Sequence, residues 1–435
     1  MTDGDRTLTR RETLRAAVAL GGSTGLAACL DLEGQPTEAG GTDRGTDRPA
    51  GTESEAELPS RQHAWNEFSR TDEHGNPVPA RHHVLLLADY VGDGPVNDGD
   101  RTQAENAFRE LEETYRWGSD GLLFTVGYSP AYFDRYDEPL SELVDLPQPA
   151  ALAPFEDPSF DTPDLLVHLA SDRASAVLEA KQALFGELET ANGSEVTETI
   201  DGTVDLIDRR TGFIGAGLPA EHDDVDGVPD GAVPEDAPLF MGFKSGFRQN
   251  QATEDSVTIA EGPFTGGTTQ HLSLLHTELE QWYNQDSREQ RVAKMFSATH
   301  AAKNLVEGVG DNLGDSSLVA ETGVADRVED DAFEKGVVGH AQKLARARDE
   351  GGDPRLLRRD FATVDDGQTG VHFLSLQEGI TDFIRTRNGM NGDDVANVGG
   401  VGTKNNNGIL QYVTTVRRGN YLLPPRSKRS FPRPS

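Results

Sequence analysis

One cysteine in 435 residues leaves no partner for an intrachain disulfide and no Cys-x-x-Cys knuckle for a metal. Basic residues are also scarce: 40 Lys and Arg stand against 74 Asp and Glu, a formal net charge of −34. A phosphate backbone needs clustered Lys and Arg, so the composition argues against a nucleic-acid partner. Long apolar runs are missing too. The uncharged stretch Ala16 to Ala28 has 13 residues, too few to cross about 30 Å of hydrocarbon as a helix, and no later segment is apolar enough. Hydrophobic residues nevertheless make up 35% of the chain, enough for a sizeable core in two or three domains. The acidic excess runs along most of the chain rather than in one block. It suits a surface kept hydrated in high salt, as in a halophilic archaeon; an acidic docking surface is the alternative.

Arg10 and Arg11, within Thr9 to Arg15, precede the short apolar stretch and resemble a twin-arginine export signal. Leu26, Ala27, Ala28 and Cys29 then resemble a lipobox, in which the cysteine is lipidated and becomes the new N-terminus. The other reading of Cys29 is a free structural cysteine after a short helix. Residues 1–28 are thus expected to be a lipoprotein signal. Residues 29–60, rich in Gly, Thr, Glu, Asp and Pro, are expected to be a disordered tether. The mature protein is expected on the outer face of the cytoplasmic membrane, held there by its lipid anchor alone.

The folded body starts near Arg61. His82 to Tyr90 (HHVLLLADY) predicts a strand, and Asp98 to Trp117 a helix with Ala104, Phe108, Leu111 and Tyr115 on one stripe, capped by Asp98 or Asp100. Gly121 to Tyr128 and Asp164 to Ala170 predict two more strands, separated by a Pro-rich connection. A helix from Ser171 or Asp172 carries Val177, Ala180, Leu184 and Leu188, and Val196 to Ile207 alternates as a half-buried strand should. This β-α-β-β-α-β order is the ferredoxin-like unit. The second half repeats it: a strand from Gln270 to Thr277, a helix from Leu279 to Ala298, strands at Leu356 to Val364 and Gly370 to Gln377, a helix from Ile380 to Arg387, and a last strand within Gly408 to Leu423. A polar, acidic insertion, Glu307 to Asp331, interrupts it. The fold class is therefore α+β: two tandem ferredoxin-like units with antiparallel sheets, of the dimeric α+β barrel type, over residues 61–215 and 216–435. The basic tail, Arg417 to Ser435, reads as a solvated strand end.

His340, a Gly-Asp-Pro loop at Gly352 to Pro354, and the pair Arg358-Arg359 opening a strand form the one constellation with chemical promise. An imidazole on one side of a planar cofactor and a guanidinium on the other is an arrangement that haem peroxidases use. From spacing alone the same residues read more readily as a structural or exposed histidine and solvated arginines. Among the other histidines, His168 reads as a satisfied core residue, one of His82 and His83 should face inward, and His372 is a spare ligand candidate. The acidic clusters at Glu221 to Asp230 and Glu329 to Asp331 read as solvated loops.

The ordered segments together resemble a family. These are HHVLLLADY, GLLFTVGYSPAYF at Gly121 to Phe133, DLLVHLASD at Asp164 to Asp172, GFKSG at Gly242 to Gly246, Gly266-Gly267, His340, the GDPRLLRRD run ending at Asp360, and GVHFLSLQ. Over most of residues 61–425 they resemble the dye-decolorising haem peroxidases, including the exported deferrochelatase/peroxidase branch. The resemblance implies a non-covalent haem b in the second half, with His340 as the proximal iron ligand. It implies Arg358 as the distal arginine, because the family's arginine directly follows an apolar pair; Arg359 is the alternative. Adjacent strand residues face opposite sides, so only one of the two can meet the cofactor. It places Gly242 and Gly246 at the cofactor and Ser245 where the family's Gly-x-x-Asp-Gly signature carries its distal Asp. A serine hydroxyl cannot shuttle a proton as a carboxylate does. The implied partners are hydrogen peroxide and an unidentified reducing substrate, and a homo-oligomer is compatible with the family. Two other readings stay open: a haem-binding surface lipoprotein with weak or no activity, and a solute-binding lipoprotein without haem.

Overall fold

The computed structural model describes residues 49–435; Arg10, Arg11 and Cys29 lie outside the described residues. The described end of the segment expected as tether is packed. The backbone N–H groups of Gly51 and Thr52 donate to the carbonyls of Glu113 and Glu112 at 3.1 and 3.0 Å. A Cβ on Gly51 would lie 1.8 Å from the Glu112 carbonyl oxygen, so only glycine allows the approach.

The first half is built from β1 (His82–Tyr90), α1 (Asp98–Thr114), β2 (Leu123–Tyr128), β3 (Leu165–Ser171), α2 (Ala174–Leu184) and β4 (Val204–Phe213). Its strands lie in the order β4-β1-β3-β2, all antiparallel. The second half has β5 (Thr268–Thr277), α3 (Leu279–Asn284), α4 (Arg288–Met295), α5 (His340–Leu344), β6 (Leu357–Arg358), β7 (Phe361–Thr363), β8 (Gly370–Gln377), α6 (Ile380–Asn391) and β9 (Val413–Leu423). Its order is β9-β5-β8-β7, with β6 also on β8. Tyr128 of β2 pairs with Leu422 of β9, and Phe213 of β4 with Ala362 of β7. These two seams join the expected ferredoxin-like units into one closed barrel, which leaves each half without a free edge.

Alternation sorts the side chains. Leu85, Leu87, Leu166, Leu272, Leu374 and Phe361 fill the barrel interior. Their neighbours in sequence face outward, toward helices or, in the second half, toward a cavity.

Several expected boundaries move. The cap of α1 is Asn97, whose side chain accepts from the Asp100 N–H. β4 starts at Val204, not Val196: Thr203 donates to the Ile200 carbonyl across a turn with Gly202 at φ 73°, which interrupts the alternation. The single helix expected from Leu279 to Ala298 breaks at Ser287, which caps α4 reciprocally with Gln290. Within the acidic insertion Val319, Val324 and Val328 are buried, and Asp331 lies in a helix rather than a solvated loop. The basic tail is solvated only in part: Lys428 and Arg433 are exposed and Arg417 is half-buried, while Arg418, Arg426 and Arg429 are buried. Arg429 is 1% exposed and pairs with Glu105 and Glu112, and Arg426 also reaches Glu112. The tail thus locks onto α1.

Candidate functional site

A cavity of about 450 Å³ lies over the outward face of the second-half sheet. Ser273, Leu275 and Thr277 of β5 and Val371 and Phe373 of β8 form its floor. Phe383 and Arg387 from α6 and His340 from α5 close other sides. The walls are largely apolar, yet seven Lys and Arg side chains line them against three carboxylates, Glu156, Asp157 and Asp360. In a chain of net charge −34 this local reversal of sign favours an anionic, otherwise apolar ligand.

His340 opens α5 directly after Gly339, where a Cβ would lie 1.8 Å from the Phe296 carbonyl oxygen. The Gln342 side chain accepts from the Gly339 N–H and donates to Val324 and to Asp331, which fixes the start of the helix. Lys343 holds the other side through the Asn407 amide oxygen at 2.6 Å and the Met390 carbonyl at 2.5 Å. Burial first, then the cations Lys343, Arg358 and Arg387, push the His340 pKa down to about 3. The imidazole is therefore neutral, the form that ligates a metal. Its Nδ1 is buried without a hydrogen-bond partner, and no carboxylate backs it.

The two arginines part company. Arg358 lines the cavity, and its backbone N–H is held by Gln251 at 2.6 Å. Arg359 turns to the other face, donates to Glu254 and the His63 carbonyl, and stacks 4.4 Å from the Trp65 ring. Asp360, two residues from Arg358, returns to the cavity. Its carboxyl sits 3.5 Å from the Arg358 guanidinium, and burial pushes its pKa up to about 6.

Ser245 lines the cavity with Phe243, Lys244 and Phe247. Gly242 and Gly246 do not reach the cavity wall. Both have φ near +80°, and they turn the loop so that the residues between them face inward. A Cβ on Gly242 would meet the Tyr283 hydroxyl at 2.8 Å. His372 points into the barrel, away from the cavity, and is no spare ligand. His83 Nδ1 and His168 Nε2 are 2.9 Å apart and satisfy each other, as expected of core histidines.

Three residues at the far wall escaped the sequence reading. Glu156, from the Pro-rich connection of the first half, takes Arg387 at 2.5 Å and Arg418 at 2.7 and 2.9 Å. One carboxylate serves two guanidinium groups. Arg418 keeps Nε and Nη1 buried without partners. Unpaired buried donors are costly, and the guanidinium also lies over the Phe383 ring, 5.7 Å from its centre. Among the described residues no cluster of three or more His, Cys, Asp and Glu could hold a bare metal ion, and no helix is long and apolar enough to cross a membrane.

Residues 80–425 match a family of unknown function, DUF7405, and the chain belongs to it. No curated protein matches. The fold is that of the dye-decolorising peroxidases. A dye-decolorizing protein from V. cholerae superposes with a TM-score of 0.50 at 13% identity, covering 82% of this chain and 97% of its own. A putative Dyp-type peroxidase from Shewanella oneidensis gives 0.52 at 17%, covering 80% and 94%. A DypB variant from Rhodococcus jostii RHA1, solved in complex with heme, gives 0.52 at 15%, covering 85% and 98%. At these identities the likeness establishes a peroxidase-like scaffold.

Proposed function

We propose that this protein is a haem peroxidase of the dye-decolorising type, reducing hydrogen peroxide with an organic or metal electron donor. The observation that carries the reading is the cationic lining of one large apolar cavity in a strongly acidic chain, with a neutral imidazole on its wall. A dianionic, planar, apolar group such as haem b fits that chemistry. His340 would hold the iron. Arg387 and Arg418, which both line the cavity, would take the propionate carboxylates. Haem, when bound, would relay electrons from the organic or metal donor to the peroxide. Arg358, projecting from β6, would stabilise negative charge on oxygen where the peroxide enters. The phenylalanines of the wall exclude water and strengthen that interaction. We further propose export by the twin-arginine route through Arg10 and Arg11, with lipidation at Cys29.

A second reading, a haem carrier with little activity, draws on two observations. By the sequence resemblance Ser245 takes the position of the dye-decolorising peroxidases' signature acid, and His340 lacks the carboxylate partner that makes a ligating imidazole a stronger donor.

Hemin and its dimethyl ester separate the cavity's contributions. Each charge-assisted contact to a carboxylate is worth about 1.5–3 kcal/mol. Blocking both carboxylates is therefore expected to weaken binding by roughly 10²–10⁴-fold, measured by Soret titration in high salt. Equal affinities would remove Arg387 and Arg418 from the ligand site. A chain that binds neither compound would overturn the haem reading.

A further inference from the structure

The glycine loop, Gly242 to Gly246, brings Lys244 and Ser245 to the cavity but no carboxyl, and the same cavity holds a buried carboxyl from another element, Asp360. Leu357, Arg359 and Phe361 face the barrel or its lining, so Arg358 and Asp360 share the opposite, cavity face. One Asp360 oxygen, Oδ1, accepts from the Leu374 N–H at 3.2 Å. The other, Oδ2, stands 3.5 Å from the Arg358 guanidinium, too far for a full hydrogen bond.

Building on the haem reading, we propose that Asp360, rather than Ser245, accepts the proton when a weak-acid ligand enters this cavity as a neutral molecule, while Arg358 holds the resulting anion. The step is a proton transfer only. The H–X bond breaks, its electron pair stays on X, and the proton goes to Asp360 Oδ2. Hydrogen peroxide is such a ligand, leaving hydroperoxide beside Arg358.

The charges around Asp360 leave it free to do this. Arg358 is the charged group that acts on it. Lys244 reaches the cavity from the glycine loop but is held by Asp72 at 2.8 Å. Arg348 donates to the carbonyls of Gly352 and Gln249, and Arg355 pairs with Asp382. From β8 only the Leu374 backbone meets it, since His372 faces the barrel. Burial opposes ionisation and Arg358 favours it, which leaves the group exchanging its proton near pH 6, where a general base is effective.

Cyanide is the probe, since it enters as the neutral acid and binds ferric haem as the anion. In the hemin-loaded protein the association rate is expected to rise through an inflection near pH 6. Asp360→Asn should keep its Soret band, lose the inflection, and bind cyanide roughly 100-fold more slowly. Asp360→Glu should restore an inflection. A hemin-free readout runs beside it: the carboxylic C=O stretch in infrared titration, present below about pH 6 and absent in Asp360→Asn. An unchanged rate and inflection in Asp360→Asn would overturn the proposal, as would a wild-type infrared titration with no carboxyl protonating in this range. A wild type that takes no hemin would instead overturn the functional reading and this ligand with it.

Discussion

Glu156→Gln is expected to destabilise the protein by roughly 3–5 kcal/mol while tightening its hold on hemin. The carboxylate is 3% exposed and is the anion shared by Arg387 and Arg418, themselves 9% and 2% exposed. Removing the charge leaves two guanidinium groups buried against each other, and breaking a buried pair costs more than the pair contributes. The same change frees both arginines for ligand carboxylates, so hemin should bind roughly tenfold tighter to the folded protein. The pH dependence follows in sign. Burial alone would raise the Glu156 pKa, but Arg387 and Arg418 outweigh it and hold the carboxyl below the ordinary value of 4.5. A depressed carboxyl contributes stability above its unfolded pKa and loses it as pH falls through the folded one. Unfolding midpoints should therefore drop for the wild type below about pH 4.5, and Glu156→Gln should flatten that drop. A variant as stable as the wild type at neutral pH would show that the cluster is not coupled as described.

The adjacent arginines should fail in opposite ways. Arg358→Leu should fold normally and bind hemin, and its reaction with peroxide should slow by roughly 10²–10³-fold, the usual cost of losing one donor to a developing oxyanion. Arg359→Leu should do the reverse. Glu254 would lose its guanidinium partner, keeping only the N–H donors of Trp65 and Asn66, and the Trp65 ring would lose its stacked cation. A loss of roughly 3 kcal/mol is expected, with the peroxide rate of the folded fraction little changed. Stopped-flow kinetics and urea unfolding on both variants test this. If Arg359→Leu is the catalytically dead one, the facing of the strand is misassigned.

Much of this was legible in the sequence because the barrel is written in alternation. HHVLLLADY and GVHFLSLQ have the bounds of β1 and β8, and the order of elements gave both ferredoxin-like halves. Alternation also separated Arg358 from Arg359. Carried one residue further, it would have put Asp360 beside Arg358, and that step was the missed signal. Other features had none. Glu156 looks like one more acid in a Pro-rich connection, and only the closed barrel brings it to Arg387 and Arg418, some 230 to 260 residues away. The basic tail reads as solvated because pairing with Glu105 and Glu112 depends on a return to α1 that no local pattern encodes. The break at Ser287 was readable, since Ser-x-x-Gln is a capping box; the apolar stripe across it concealed the signal.

The most direct test of the account is a hemin titration of the protein in high salt, followed by its Soret band, with His340→Ala beside it. The account predicts saturation at one hemin per chain in the wild type. In the variant it predicts loss of the histidine-ligated spectrum while the fold, checked by circular dichroism, is kept. An identical Soret band in His340→Ala, or no saturable change in the folded wild type, would contradict it.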